Sequence, residues 1–167
     1  MLDAGLFAGQ RFELIDGDLI DKMGQNPPHS HALRLVHAWL ITIFGKRVQM
    51  QQSVEAAPAE RERTLPEPDL SVLAEFKGDY GKRHPRGDEL LLAIEVADTT
   101  ARYDATTKRD LYARAGVPEY WVLDIGARRL IVHRRPSQGK FEQIDSLPED
   151  AVVYAGGVEI PVSELLP

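Results

Sequence analysis

Three side chains carry the strongest chemical signal in this sequence. Glu95 sits inside the apolar run Leu91-Leu92-Ala93-Ile94-Glu95-Val96-Ala97. A carboxylate in a core strand is costly to desolvate unless something pairs with it. Asp69 opens a second apolar segment, Asp69-Leu70-Ser71-Val72-Leu73, directly after Pro68. Lys108 stands between Asp104 and Tyr112 at i, i+4, i+8 spacing, so the three share a helix face with ~40° between successive members. Each has a plain alternative. Glu95 could end a strand, turned to solvent or bridged to an Arg, and Asp69 could be a turn or cap acid. The Asp104–Lys108–Tyr112 row could be a solvated stripe with a weak ion pair. Taken together they have the composition of a Mg²⁺-dependent phosphodiesterase. Two acids from adjacent strands hold a hard cation through oxygen. The cation polarises a phosphate and lowers the pKa of bound water, and the lysine steadies the attacking hydroxide or the pentavalent charge.

The elements that must position these groups are legible in the patterning. Arg11 to Ile20 holds two short apolar runs flanking Asp16-Gly17, a hairpin signal because such turns need positive φ. After Pro27-Pro28, a helix is expected from Ser30 or His31 to Phe44, with Leu33, Val36, Leu40 and Ile43 forming one apolar stripe. Ser30 is expected to cap its start and Gly45 its end. Val48 to Val54 reads as a strand and Ala57 to Glu67, polar with two prolines, as a loop or distorted edge. Asp69 to Leu73 is a short strand, and Phe76 to Glu89 a polar loop. Leu90 to Ala97 is apolar enough to be a strand buried on both faces. A helix from about Tyr103 to Ala115, stopped by Gly116 with Pro118 behind, supplies the crossover to a parallel strand at Tyr120 to Leu123. Arg129 to Arg134 and Phe141 to Ile144 complete the sheet. The fold class is α/β (α+β), a mixed sheet with helices packed on it and an N-terminal β-hairpin.

Composition narrows the options further. A chain of 167 residues is expected to form a single domain, 1–167. Its hydrophobic fraction of 43% and charged fraction of 28% are ordinary for a globular protein. The formal charge of −6 argues against a general nucleic-acid coat, though not against a local basic rim. With no Cys, disulfides and Cys-ligated metal centres are excluded. No apolar run approaches the ~20 residues that span a bilayer. Met1 to Arg11 lacks a basic stretch followed by an apolar one, so a soluble cytoplasmic protein is expected.

Several motifs together resemble the Uma-two family, a large bacterial family of restriction-endonuclease-like proteins in the PD-(D/E)XK nuclease superfamily. They are Phe12-Glu13-Leu14-Ile15-Asp16-Gly17, His31, Pro68-Asp69, Ile94-Glu95-Val96, Asp104…Lys108…Tyr112 and Gly116-Val117-Pro118-Glu119-Tyr120-Trp121-Val122-Leu123-Asp124. The resemblance spans about Arg11 to Arg135. It implies a restriction-endonuclease-like core, a site for Mg²⁺ or Mn²⁺ held by Asp69 and Glu95, and DNA cleavage. Asp69 matches the Asp of the family's Pro-Asp pair, and Glu95 the acid of its second motif. The superfamily pattern places a lysine two residues after that acid, where this chain has Ala97. The family is read as having moved it to the following helix, here Lys108. Glu13 matches an early glutamate, a fourth acid or lysine partner, and His31 an early histidine.

Weaker candidates remain. His29, His31 and His37 read as surface or capping residues, with His31 a possible site neighbour. Arg61, Arg63, Lys82, Arg83, Arg86, Arg128, Arg129, Arg134 and Arg135 could meet phosphates, although charges on loops are more often solvated. Trp39 and Trp121 read as core, and Asp98 as a secondary acid or a cap. Three functions compete: a metal-dependent nuclease acting on DNA; a nuclease-fold protein that binds nucleic acid or a partner in a defence or mobile-element system without catalysis; and an interaction protein in which Lys108 pairs directly with Glu95 and leaves no open coordination position. The nuclease reading expects the Asp69 and Glu95 carboxylates within about 4–6 Å of one another, close enough to share a cation. It also expects Lys108 in the same cleft, one carboxyl with a pKa raised by mutual repulsion, and apo stability unharmed by removing either acid. A twofold homodimer is expected because symmetric dimers are the commonest oligomers.

Overall fold

The computed structural model describes residues 11–22, 26–99 and 101–167. The reading of Met1 to Arg11 as free of a leader therefore falls, except for Arg11, outside the described residues.

Strands β1 (Phe12–Ile15) and β2 (Asp18–Asp21) form the expected hairpin. Its turn residues Asp16 and Gly17 take φ of 52° and 91°. Helix α1 runs Pro27–Phe44, longer at its start than the apolar stripe implied. The cap is Asn26 and not Ser30: Asn26 Oδ1 accepts from the His29 N–H at 3.0 Å. Pro27 and Pro28 can occupy the first turn because the amides they lack would have no helical partner there. Gly45 ends the helix as expected, with φ 57°. Strand β3 is only Val48–Met50, because Gln51 turns the chain with φ 54°.

The main sheet continues with β4 (Leu70–Leu73), β5 (Leu90–Ala97), β6 (Glu119–Asp124), β7 (Arg129–Ser137) and β8 (Lys140–Pro148), in spatial order β3-β4-β5-β6-β7-β8. Only β5 and β6 pair in parallel, as the intervening helical crossover requires. Strand β5 is buried except at Leu91, the extra residue where the β4–β5 register shifts. Strands β7 and β8 outrun their expected lengths because Gln138 and Gly139 close a tight turn with φ of 50° and 76°. A final hairpin, β9 (Val152–Ala155) and β10 (Val158–Pro161), was not anticipated. Its turn is Gly156-Gly157, both at positive φ.

The sheet separates two cores. On one face Leu33, Val36, Leu40 and Phe44 of α1, with Val153 and Ile160 of the last hairpin, pack on Leu92, Ile94, Val96 and Trp121. Trp39 is half-buried against that core. On the other face Leu111, Tyr112 and Ala113 pack on Ala93, Ala97, Tyr120 and Val122. Glu95 alternates with Ala93 and Ala97 along β5, so it belongs to this second face.

The crossover is not one uniform α-helix. It is α2 (Ala101–Tyr103), a π-helical turn (Asp104–Lys108) and α3 (Arg109–Arg114). Such turns widen the helix locally and are frequent at functional sites. Gly116 then reverses the chain at φ 82°. The junction between helix and sheet is tight at Gly87, in the short turn before β5. A Cβ there would lie 2.3 Å from the Ala115 carbonyl oxygen and 2.8 Å from its carbon. Both are backbone atoms, so the clash has no flexible side chain to absorb it. Gly87→Ala should lower stability by about 1–3 kcal/mol, the range for overpacking a filled site, and urea melts of the two proteins would measure it. No helix among the described residues is long and apolar enough to cross a membrane.

Candidate active site

The β4–β5 register brings the two sequence-predicted acids together. Leu70 pairs with Ile94 in an antiparallel ladder, so Asp69, one residue before Leu70, falls beside Glu95, one residue after Ile94. Both carboxylates border an open cleft of about 400 Å³, which Glu13, Asp104 and Lys108 also line. It lies between the N-terminal hairpin, the start of α1 and the π-helical turn. The two acids therefore reach one cleft and not opposite faces of the sheet.

Lys108 is 2% exposed and is held by three acids. Its Nζ lies 2.8 Å from Glu95 Oε1, 2.8 Å from Glu13 Oε1 and 3.6 Å from Asp104 Oδ1. The three come from β5, β1 and the π-helical turn. Burial alone would lower the Lys108 pKa, but Glu95, Glu13 and Asp104 outweigh it and hold the ammonium protonated above its ordinary range. Tyr112 adds a hydroxyl that donates to Glu95 Oε1 at 3.2 Å. The shared helix face of Asp104, Lys108 and Tyr112 thus faces inward, and the solvated-stripe alternative is excluded by the burial of all three. Glu13 also accepts the Glu67 N–H at 3.3 Å, tying β1 to the segment that leads into Asp69.

The two acids have opposite electrostatics. Burial pushes Glu95 up to about 8, against the favourable charges of Lys108 and Lys22; the Asp69 charge adds only a smaller push upward. One carboxyl is therefore raised, as expected, but desolvation and not mutual repulsion is the main cause. Asp69 is also buried, which alone would raise it. The hydrogen bond with His29, the Lys22 charge and the Val96 N–H outweigh burial and hold it well below the usual carboxylate range. Asp69 Oδ2 accepts the Val96 N–H at 2.9 Å and lies 3.3 Å from His29 Nε2. Removing Asp69 would orphan these groups, so the expectation that apo stability survives loss of either acid does not carry over to Asp69.

Sequence reasoning missed two residues here. His29, not His31, borders the cleft; His31 is exposed on α1 and does not line it. His29 Nδ1 is buried with no hydrogen-bond partner among the described residues. Lys22 directly follows β2, and its Nζ lies 3.5 Å from Asp69 Oδ1 and 3.8 Å from Glu95 Oε2. Neither carried a signal beyond residue type. Asp98 lines the cleft and accepts from Asn26, linking the end of β5 to the cap of α1. The arginines weighed as phosphate contacts do not line the cleft. Arg61, Arg63, Arg83, Arg86, Arg128, Arg129, Arg134 and Arg135 are each paired with an acid. The cationic rim of the cleft is Arg11 and Lys22 instead.

Among the described residues no three His, Asp or Glu side chains are drawn together as a ready metal cage. The donor set still fits a hard divalent cation. Asp69 Oδ1 and Glu95 Oε2 are directed at one point, and a positive group, the Lys22 ammonium, already stands there. Mg²⁺ characteristically takes one or two carboxylates and completes its shell with water and phosphate oxygen. The interaction-only reading is met halfway: Lys108 does pair directly with Glu95, but the remaining oxygens face an open cleft.

A family model described as "Uma2: Putative restriction endonuclease" matches residues 3–163. Among solved structures, the chain is similar to the crystal structure of a "putative nuclease belonging to DUF820" from Anabaena variabilis ATCC 29413. The two share 16% sequence identity with a TM-score of 0.69, over 92% of this chain and 88% of that one. At that identity the likeness is one of fold. No curated protein matches the chain.

Proposed function

The chain belongs to the Uma2 family, and from that premise we propose that it is a metal-dependent nuclease that hydrolyses DNA phosphodiester bonds in the cytoplasm of a bacterium. The observation that carries this reading is the pair of carboxylates, Asp69 and Glu95, aimed from neighbouring strands into one open cleft with a buried lysine behind them.

Asp69 and Glu95 are the residues that would hold Mg²⁺ or Mn²⁺. The ion, when bound, polarises the phosphate and makes a strong nucleophile available at neutral pH. The chain's own groups prepare the site. Val96 N–H and His29 fix the Asp69 carboxylate in place and keep it ionised. Lys108 and Tyr112 anchor Glu95 Oε1, which leaves Oε2 turned to the cleft. With its ammonium directed at three acids, Lys108 acts through Glu95 and Glu13: it orients them and offsets their charge. We therefore assign it as a positioning residue. We further propose a twofold homodimer, the arrangement that presents two such clefts to a duplex.

The test is cleavage of duplex DNA, single-stranded DNA and RNA with Mg²⁺ or Mn²⁺. DNA should be nicked, and the nicking should vanish with chelator and in Glu95→Ala. Binding without cleavage under every metal condition would favour the non-enzymatic reading. Sedimentation that shows only monomer at micromolar protein would reject the dimer.

A further inference from the structure

Lys22 lines the cleft beside both acids, and the nuclease reading gives it no role. Its side chain is 13% exposed, and besides the two carboxylates its ammonium donates to the Glu67 carbonyl. The other oxygen of each acid is already engaged. Asp69 Oδ2 faces Val96 N–H and His29, and Glu95 Oε1 faces Lys108 and Tyr112. The two oxygens left for a ligand, Asp69 Oδ1 and Glu95 Oε2, are the two that Lys22 approaches.

We propose that Lys22 is the resident cation of the metal-free site and a built-in competitor of the divalent ion, which can bind between Asp69 and Glu95 only as the Lys22 ammonium withdraws. The inference rests on the metal-dependent reading above and adds to it a residue that sets metal affinity. The physical reason is exclusion by charge and space. A divalent ion held at ~2.0–2.6 Å from these oxygens would stand within a few ångströms of the present ammonium position, where like charges repel strongly at the low effective dielectric of a shielded cleft. Lysine suits this role because its charge is compact and its four-carbon stem is flexible, so the ammonium can swing away without backbone movement. In the open cleft the anionic backbone of a nucleic acid would be the natural new partner for the released charge.

The experiment is calorimetric titration with Mn²⁺ of the unmutated protein, Lys22→Met and Lys22→Arg, at alkaline pH where protons compete least. Lys22→Met should bind Mn²⁺ ~10-fold tighter or more, which corresponds to removal of one nearby like charge. Lys22→Arg keeps the charge and should bind no tighter than the unmutated protein. A second measurement needs no variant. Acetylation of lysines, mapped by mass spectrometry with and without Mg²⁺, should show Lys22 labelling faster when metal is present, while Lys140 on the distant edge strand β8 is unchanged. Equal or weaker Mn²⁺ binding by Lys22→Met would overturn the proposal and leave the metal site intact, as would a Lys22 labelling rate indifferent to metal in a protein that binds it. No binding by either protein would overturn both the proposal and the metal reading beneath it.

Discussion

Lys108→Met should lower the stability of the metal-free protein by about 3–5 kcal/mol, the range for removing one partner from a buried ion pair. That corresponds to a fall of roughly 10 °C in Tm for a chain of this size. The magnitude follows from what the lysine leaves behind. Glu13, Glu95 and Asp104 are each no more than 3% exposed, and all three point at its ammonium. Methionine fills much the same volume, so the loss is electrostatic and not a cavity. The three carboxyls would then lose the ammonium they share, and Glu95, which burial already pushes up, takes up a proton most readily. The deficit should therefore be largest at alkaline pH and shrink as the pH falls toward the ordinary carboxyl range. Adding Glu13→Gln to Lys108→Met should recover part of the loss, a non-additivity that marks groups in direct contact. Lys140 gives the contrast: it bridges Asp110 at 3.2 Å but is 72% exposed, so Lys140→Met should change stability little. Urea melts at two pH values for the four proteins measure all of this. A Lys108→Met protein as stable as its parent would mean that the three acids are not held by that ammonium.

The parts of this site that could be read from sequence are those fixed by local rules. Asp16-Gly17 marks a hairpin because few other pairs accept positive φ at both positions, and that hairpin carries Glu13. The apolar run around Glu95 marks a central strand, and Gly116 with Pro118 marks where the crossover helix must end. From these, two adjacent strands and one following helix already place Asp69, Glu95 and Lys108 near one another. What stayed hidden depends on contacts between segments far apart in the chain. Nothing near Lys22 says that its ammonium will reach the acids of β4 and β5, and nothing near His29 distinguishes it from His31 until α1 is docked and its facing side is known. The cap at Asn26 was missed because Ser30 is an equally good capping residue; the preceding prolines decide between them by needing no helical amide partners. The π-helical turn has no sequence signature of its own here. The last hairpin carries a local signal too, Gly156-Gly157 between apolar runs.

Glu95→Gln should separate the chemistry of the site from its burden on the fold. Burial pushes the Glu95 carboxyl up to about 8 from an ordinary 4.5. Across that window the folded protein keeps a proton that the unfolded chain has released. The contribution to stability is therefore fully present below the unfolded pKa and is lost as the pH rises toward the folded one. Asp69 works in the other direction and in another window: its lowered pKa supports the fold above its ordinary 3.8, and that support is lost progressively as the pH falls below 3.8 toward the lowered value. Glutamine cannot release a proton, so Glu95→Gln should abolish the decline between about pH 4.5 and 8 and leave the acid-side loss due to Asp69 in place. At the alkaline end of the window the variant should be the more stable protein. Cleavage should move the opposite way, falling by ~10²–10³-fold, because the ion that Glu95 would hold is what stabilises transition-state charge. The rise in Tm that Mg²⁺ produces by binding the folded state should shrink with it, since a neutral amide is a poor partner for a hard cation. Thermal melts over pH, with and without Mg²⁺, and one cleavage assay follow the three effects. An unchanged pH slope would show that the Glu95 carboxyl is not held protonated, and undiminished cleavage would remove Glu95 from the reaction. Gained stability together with lost cleavage is the outcome that a buried, metal-awaiting carboxylate requires: the group is kept where it weakens the fold because the reaction needs it there.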